Sequence, residues 1–304
     1  MISSGQFEET AKTFIRKALP ESEVELVGEI PYDALAPYRE EALKHIVKNL
    51  ELPGFRRGHV PPGMALQKIG ELGVLEEAVE IFIRDFYPAL LTAHKVDAVG
   101  RPDIRITKLA PQNPVGLTVR AAVYPEVAVP KDWKTLAEKF PLEAYLGELP
   151  KTDPPPSPGD EQKARDYMAR DKRRGKIIDA LLEKTKVAVP AIFVESELEK
   201  IMAQMKEDVT KFGLKFEDYL KQMQKTEPQV REEFRAQARK RAVLQLALNK
   251  LADDEKVVAN PEAVEKEMKH ALEHFPDARQ DLVRIHIETV LRNEQVLKLL
   301  EGEK

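Results

Sequence analysis

"EVELVGEIPYDALAPYREEALKHIVKNL", Glu23 to Leu50, changes its apolar period once, and that change decides the fold. Over the first eight residues Val24, Leu26 and Ile30 fall on one face and mostly acids on the other, the period-two pattern of a half-buried strand. From Pro31 onward Leu35, Tyr38, Ala42 and Ile46 recur every three or four residues, which reads as a helix, with Pro37 expected in its first turn. Further along, Leu75, Ala78, Val79, Phe82, Phe86 and Leu90 form the stripe of a second long helix, with a kink or local distortion expected at Pro88. "DIRIT", Asp103 to Thr107, points Ile104 and Ile106 inward. "VGLTVRAAV", Val115 to Val123, alternates cleanly. Strand, helix, loop, helix and strands give an α+β domain over residues 1–125, its helices packed on a small antiparallel sheet.

After Val123 the character changes. "LPKTDPPPSPGD", Leu149 to Asp160, carries five prolines, which favour extended backbone, so residues 126–160 read as a proline-rich linker. Residues 161–304 read as an all-α domain of long helical arms. Its clearest stripe follows Pro190 through Val194, Leu198, Ile201, Met205 and Phe212. A second stripe takes Phe234, Ala238, Leu244, Leu248 and Leu251, and a last helix carries Val283, Ile287, Val290, Leu291 and Leu297. Asn260 and Pro261 have the chemistry of a helix cap and first position.

Composition bounds the function. Charged residues make up 33% of the 304 and nearly balance at a net charge of -4, which argues against a globally basic nucleic-acid binder. The absence of cysteine excludes disulfide and thiolate chemistry. No apolar run approaches the roughly 20 residues that span a bilayer, and the first residues lack a signal-peptide pattern, so a cytoplasmic location without membrane contact is expected. No phosphate-binding glycine loop, nucleophile elbow or dinucleotide fingerprint occurs, and no cofactor is expected. His270 and His274 are spaced for one helix face but lack a third ligand and a metalloprotease glutamate, so no metal site is assigned. Asp253 and Asp254 read as solvated helix-end charges, and Trp133 as a packing anchor at the domain junction.

The loop "LPGFRRGHVPPG", Leu52 to Gly63, joins the two long helices. Gly54 and Gly58 bracket Phe55, Arg56 and Arg57 and allow positive φ, while Pro61 and Pro62 stiffen the exit. Two readings stand: a docking tip that presents two guanidinium forks beside an aromatic ring, or an ordinary connection with Phe55 folded beneath it.

"GFRRGHVP" resembles the ribosome-docking signature of the trigger factor family, Gly-Phe-Arg-Lys-Gly-Lys-x-Pro. "AVGRPDI" and "VYPEV" are similar to that family's amino-terminal domain, and "VAVPAIFVESELEKI" and "EEFRAQARKRAVLQLALNKLADDEKV" to its carboxy-terminal arms. The resemblance implies an ATP-independent chaperone that docks on a ribosomal protein beside the exit tunnel and holds nascent or unfolded polypeptides in a helical cradle. It implies Gly54, Phe55, Arg56, Arg57, Gly58, His59 and Pro61 as the ribosome-binding set. Arg57 and His59 stand where the family has lysines. The first keeps the charge, and the second removes most of one at neutral pH, so weaker and more pH-sensitive docking is expected. The family's peptidyl-prolyl isomerase domain has no room between Val127 and Glu161, so no isomerase activity is expected. Met202, Met205, Phe212, Phe216 and Met223 are candidates for an adaptable client-binding lining, against the alternative that they pack between arms. Self-association into a homodimer stays open. The rival readings are an off-ribosome holdase or assembly adaptor using the same loop and, least favoured, a metal-dependent hydrolase built on His270 and His274.

Overall fold

The computed structural model describes residues 4–146 and 158–302, which divide into two compact units, residues 1–125 and 126–304. The first runs α1 (Ser4–Lys12), β1 (Ile15–Leu19), β2 (Glu23–Ile30), α2 (Tyr32–Asn49), α3 (Pro62–Ala93), β3 (Ala98–Lys108) and β4 (Val115–Val123). Its four-stranded sheet has the order β1-β2-β4-β3 and is antiparallel throughout. Leu26 pairs with Val119 and Ile30 with Val115, so the inward residues of β2 and β4 share one face. That face meets Leu75, Phe82, Phe86 and Leu90 of α3 and Leu35 and Tyr38 of α2 in one buried cluster. The Phe14 ring lies against Gly28, where a Cβ would come within 2.5 Å of it. β3 is a sheet edge, which is why it tolerates Pro102.

Both proline expectations need correction. α2 begins at Tyr32, so Pro37 sits inside the helix and not in its first turn. The break in α3 is not at Pro88 but at Gly70, whose φ of 81° and ψ of 162° leave the helical region. Helix α3 includes Pro88, and the Thr92 hydroxyl donates to the Pro88 carbonyl at 2.9 Å.

Tyr38 ties α2 to α3 by donating to Asp85 Oδ2 at 3.3 Å. Burial, with the Asp85 carboxylate adding to it, pushes its pKa from 10.0 up to about 12. An acid whose pKa rises on folding contributes fully below its unfolded value and loses that contribution as pH climbs through the folded one. The first unit should therefore lose about 2–3 kcal/mol between pH 10 and 12 that the Tyr38→Phe variant does not lose. Denaturant melts of both proteins at pH 8 and pH 11.5 measure it. Parallel losses would assign the alkaline sensitivity elsewhere.

The second unit runs β5 (Val127–Ala128), 3-10 turns at Trp133–Lys139 and Leu142–Tyr145, α4 (Pro158–Lys184), β6 (Lys186–Val187), α5 (Ala191–Lys211), α6 (Phe216–Gln222), α7 (Glu227–Asp254), α8 (Pro261–His274) and α9 (Gln280–Leu300). β5 and β6 pair antiparallel. The start of the expected linker is thus core. Trp133, Leu136 and Ala137 are buried with Ile177 and Leu181 of α4, Leu248 and Leu251 of α7, and Val296 and Leu300 of α9. Arg173 fastens this segment, donating through Nε to the Phe140 carbonyl at 2.7 Å and through Nη2 to the Glu301 carbonyl at 3.2 Å. Residues 147–157, which include most of the five-proline stretch, lie outside the described residues. A capping box of Thr226 and Gln229 starts α7, and the Asn260 side chain accepts from the Glu262 amide at 2.8 Å at the start of α8.

Candidate functional site

The connection between α2 and α3 is built from two turns in series. The Phe55 amide donates to the Leu52 carbonyl at 3.0 Å, with Pro53 and Gly54 between them and Gly54 at φ +87°. The His59 amide donates to the Arg56 carbonyl at 3.0 Å, with Gly58 at φ +82°. Each glycine occupies the third position of its turn, where a type II turn needs positive φ, and Pro53 holds the second position, where φ near -65° is preset. Buried Val60 then anchors the exit, Pro61 caps α3 and Pro62 opens it. These backbone constraints leave Phe55 at 37% exposure and Arg56, Arg57 and His59 exposed. Phe55 is therefore not folded beneath the loop. Arg57 donates weakly to Asn49 Oδ1 at 3.4 Å, and among the described residues neither Arg56 nor Arg57 forms an ion pair. Two unneutralised guanidinium groups beside an apolar ring can engage carboxylates and an apolar pocket together.

A second feature lies in the unit of residues 126–304. Helix α5 ends at Lys211, Gly213 at φ +74° turns the chain, and α6 comes back beside it. An opening of about 350 Å³ results, lined by Ile201, Met205, Val209, Phe212, Tyr219 and Phe234, with Asp208 and Arg241 among its polar groups. Phe212, the last residue of the α5 stripe in the sequence and one of the candidate lining residues, is 84% exposed at the helix C-cap. Phe216 stacks on Tyr219 at 6.3 Å between ring centres, with the Lys206 ammonium 5.0 Å from the Phe216 ring centre. Met223 is exposed. Met202, by contrast, is 1% exposed, so it packs the unit and offers nothing to a ligand. Sequence reasoning passed over Tyr219, whose only signal was its place just past a glycine break.

Several other polar groups that could suggest a site are paired within the protein. A larger opening of about 530 Å³ near the start of α8 includes Arg292, which pairs with Asp253 at 2.5 Å and donates to the Val257 carbonyl at 3.0 Å. Asp254 pairs with Lys250. His274 donates through Nδ1 to the His270 carbonyl at 3.0 Å, and among the described residues no three potential ligands converge as a metal site would need. Among the same residues no helix is long and apolar enough to cross a membrane.

A family model described as bacterial trigger factor protein matches residues 12–144, and one described as the C-terminus of that protein matches residues 160–301. Trigger factor of a Nocardioides species is 31% identical over 114 residues, 38% of this chain and 24% of that protein. Trigger factor of Corynebacterium diphtheriae is 32% identical over 123 residues, 40% of this chain and 27% of that protein. That of Beutenbergia cavernae is 32% identical over 135 residues, 44% and 28% respectively. These matches span about a quarter of the relatives' length. A solved structure, from work on promiscuous substrate recognition in folding and assembly activities of the trigger factor chaperone, superposes with a TM-score of 0.52 at 15% identity. It covers 95% of this chain and 99% of that one, and at this identity the likeness speaks for the fold.

Proposed function

The chain belongs to the trigger factor family, and from that premise we propose that it is an ATP-independent chaperone. It docks on the ribosome near the exit tunnel through Gly54–Pro61 and holds nascent or unfolded chains on its helical unit. The observation that carries the docking half is the loop itself: two glycine turns leave Phe55, Arg56 and Arg57 exposed, and among the described residues neither arginine forms an ion pair. The holding half rests on the opening beside Met205, Phe212 and Tyr219, with Phe216 and Met223 at its approaches. An apolar opening with a flexible thioether and mobile polar surroundings accepts many sequences weakly. Release then follows when the client's own folding competes with those contacts. An adaptor with a fully packed helical domain would have no reason to leave Phe212 in solvent. Only residues 145–159 separate the two matched spans, too few for an inserted domain of about 100 residues, so the proposal includes no isomerase activity. The cytoplasm, where nascent chains emerge, is the proposed place of work.

Aggregation of a chemically unfolded client, followed by light scattering without nucleotide, tests the holding function. An equimolar amount of the protein is expected to suppress scattering. Phe212→Ser combined with Met223→Ser should need about three- to tenfold more protein for equal suppression, as expected for two truncated apolar contacts of about 1 kcal/mol or less each. No suppression at tenfold excess of wild type would contradict the reading.

A further inference from the structure

Beyond the loop, the start of α3 carries three exposed large apolar side chains. Met64, Ile69 and Leu72 are 43%, 39% and 50% exposed, and no other large apolar side chain of α3 reaches such exposure. Farther along, its exposed positions are filled by polar residues such as Glu76, Glu80 and Arg84, and by Pro88. The exposed trio is not a symptom of a detached end, because Val60 and Ala65 beside it are buried and Leu66 packs on the core. Gly70 interrupts the helix between Ile69 and Leu72. Its φ and ψ lie in a region essentially reserved for glycine, yet a Cβ added there would meet nothing within 4 Å. The glycine is thus needed for chain direction and not for packing space. It lets Pro62–Ile69 take an orientation of its own next to the loop.

We propose, resting on the docking reading above, that the ribosome-facing interface continues from Phe55 onto Met64, Ile69 and Leu72, oriented by the break at Gly70. The surface fits a protein whose apolar pockets are rimmed by carboxylates. Arg56, Arg57 and exposed Lys68 supply the positive side of that match, while Glu71, the acid between Ile69 and Leu72, is already paired with Arg39. A nucleic-acid backbone would leave three apolar side chains against phosphates, with no gain from burying them, which favours protein as the occupant.

Titration of purified 70S ribosomes by cosedimentation tests the proposal with three variants beside wild type. They are Met64→Ser/Ile69→Ser/Leu72→Ser, Gly70→Ala, and the loop variant Phe55→Ala/Arg56→Ala/Arg57→Ala, each checked to be folded at the assay temperature by circular dichroism and cooperative unfolding. The apolar triple is expected to bind about ten- to hundredfold more weakly with an unaltered salt dependence, because no charge is lost. The loop variant should lose salt dependence as well as affinity. Gly70→Ala should weaken binding about tenfold although every contact side chain remains, since alanine is strongly disfavoured in that backbone conformation. If the apolar triple or Gly70→Ala binds like wild type while the loop variant fails, docking stands and this extension is overturned. If wild type itself does not bind, the docking reading fails and takes the extension with it.

Discussion

Replacing Phe55, Arg56 and Arg57 together by alanine is expected to weaken ribosome binding by about 100-fold or more while leaving the fold intact. Exposed aromatic and arginine anchors typically contribute about 2 kcal/mol or more each when they sit at an interface centre, and such losses are not fully additive. A combined loss of about 3–4 kcal/mol corresponds to two to three decades in affinity. The fold should survive because the turns are set by the backbone at Pro53, Gly54 and Gly58, and none of the three side chains is buried. Losing two guanidinium groups should also flatten the dependence on ionic strength between roughly 50 and 200 mM, since those contacts are screened by salt. Cosedimentation across that range reads both effects. Equal sedimentation of variant and wild type would remove the loop from the interface.

The second large effect is on stability. Phe82→Ala should destabilise the unit of residues 1–125 by about 3–5 kcal/mol, the range for removing a buried phenylalanine side chain without collapse around the cavity. Phe82 is fully buried and its ring is 5.1 Å from Phe86, 5.4 Å from Tyr38 and 5.5 Å from Phe7 between centres. It therefore joins α1, α2 and α3 at one point. Against a total of about 5–15 kcal/mol for a domain, the loss would be a large fraction. Equilibrium unfolding in urea, followed by a probe within residues 1–125, measures it. A change below about 1 kcal/mol would mean that the three helices are held chiefly by other contacts.

The long stripes were legible in the sequence because a single buried face dominates them: Leu75, Ala78, Val79, Phe82, Phe86 and Leu90 all enter one cluster with the alternating residues of β4. β1 was not legible, since "IRKAL" is exposed along most of its length and exists through pairing with β2 rather than through burial. The segment at Trp133 was misread for a different reason. Its flanking prolines imitate a linker, and its burial comes from helices far along the chain and from the Arg173 clasp, none of which leaves a local period. Position along α5 shows the same limit more finely. Met202 and Met205 are three residues apart, yet one is core and the other lines an opening, and apolar spacing alone does not say on which side the neighbouring helix lies. The turns of the loop between α2 and α3 were the most readable part, because a glycine after a proline and a second glycine four residues on prescribe them in local terms.

The most direct measurement places a photo-reactive amino acid at position 55 and irradiates the protein bound to 70S ribosomes. One dominant adduct with a ribosomal protein at the tunnel exit is expected, lost when Arg56 and Arg57 are replaced by alanine or when salt is raised. Diffuse labelling, or a dominant adduct far from the exit, would contradict that expectation.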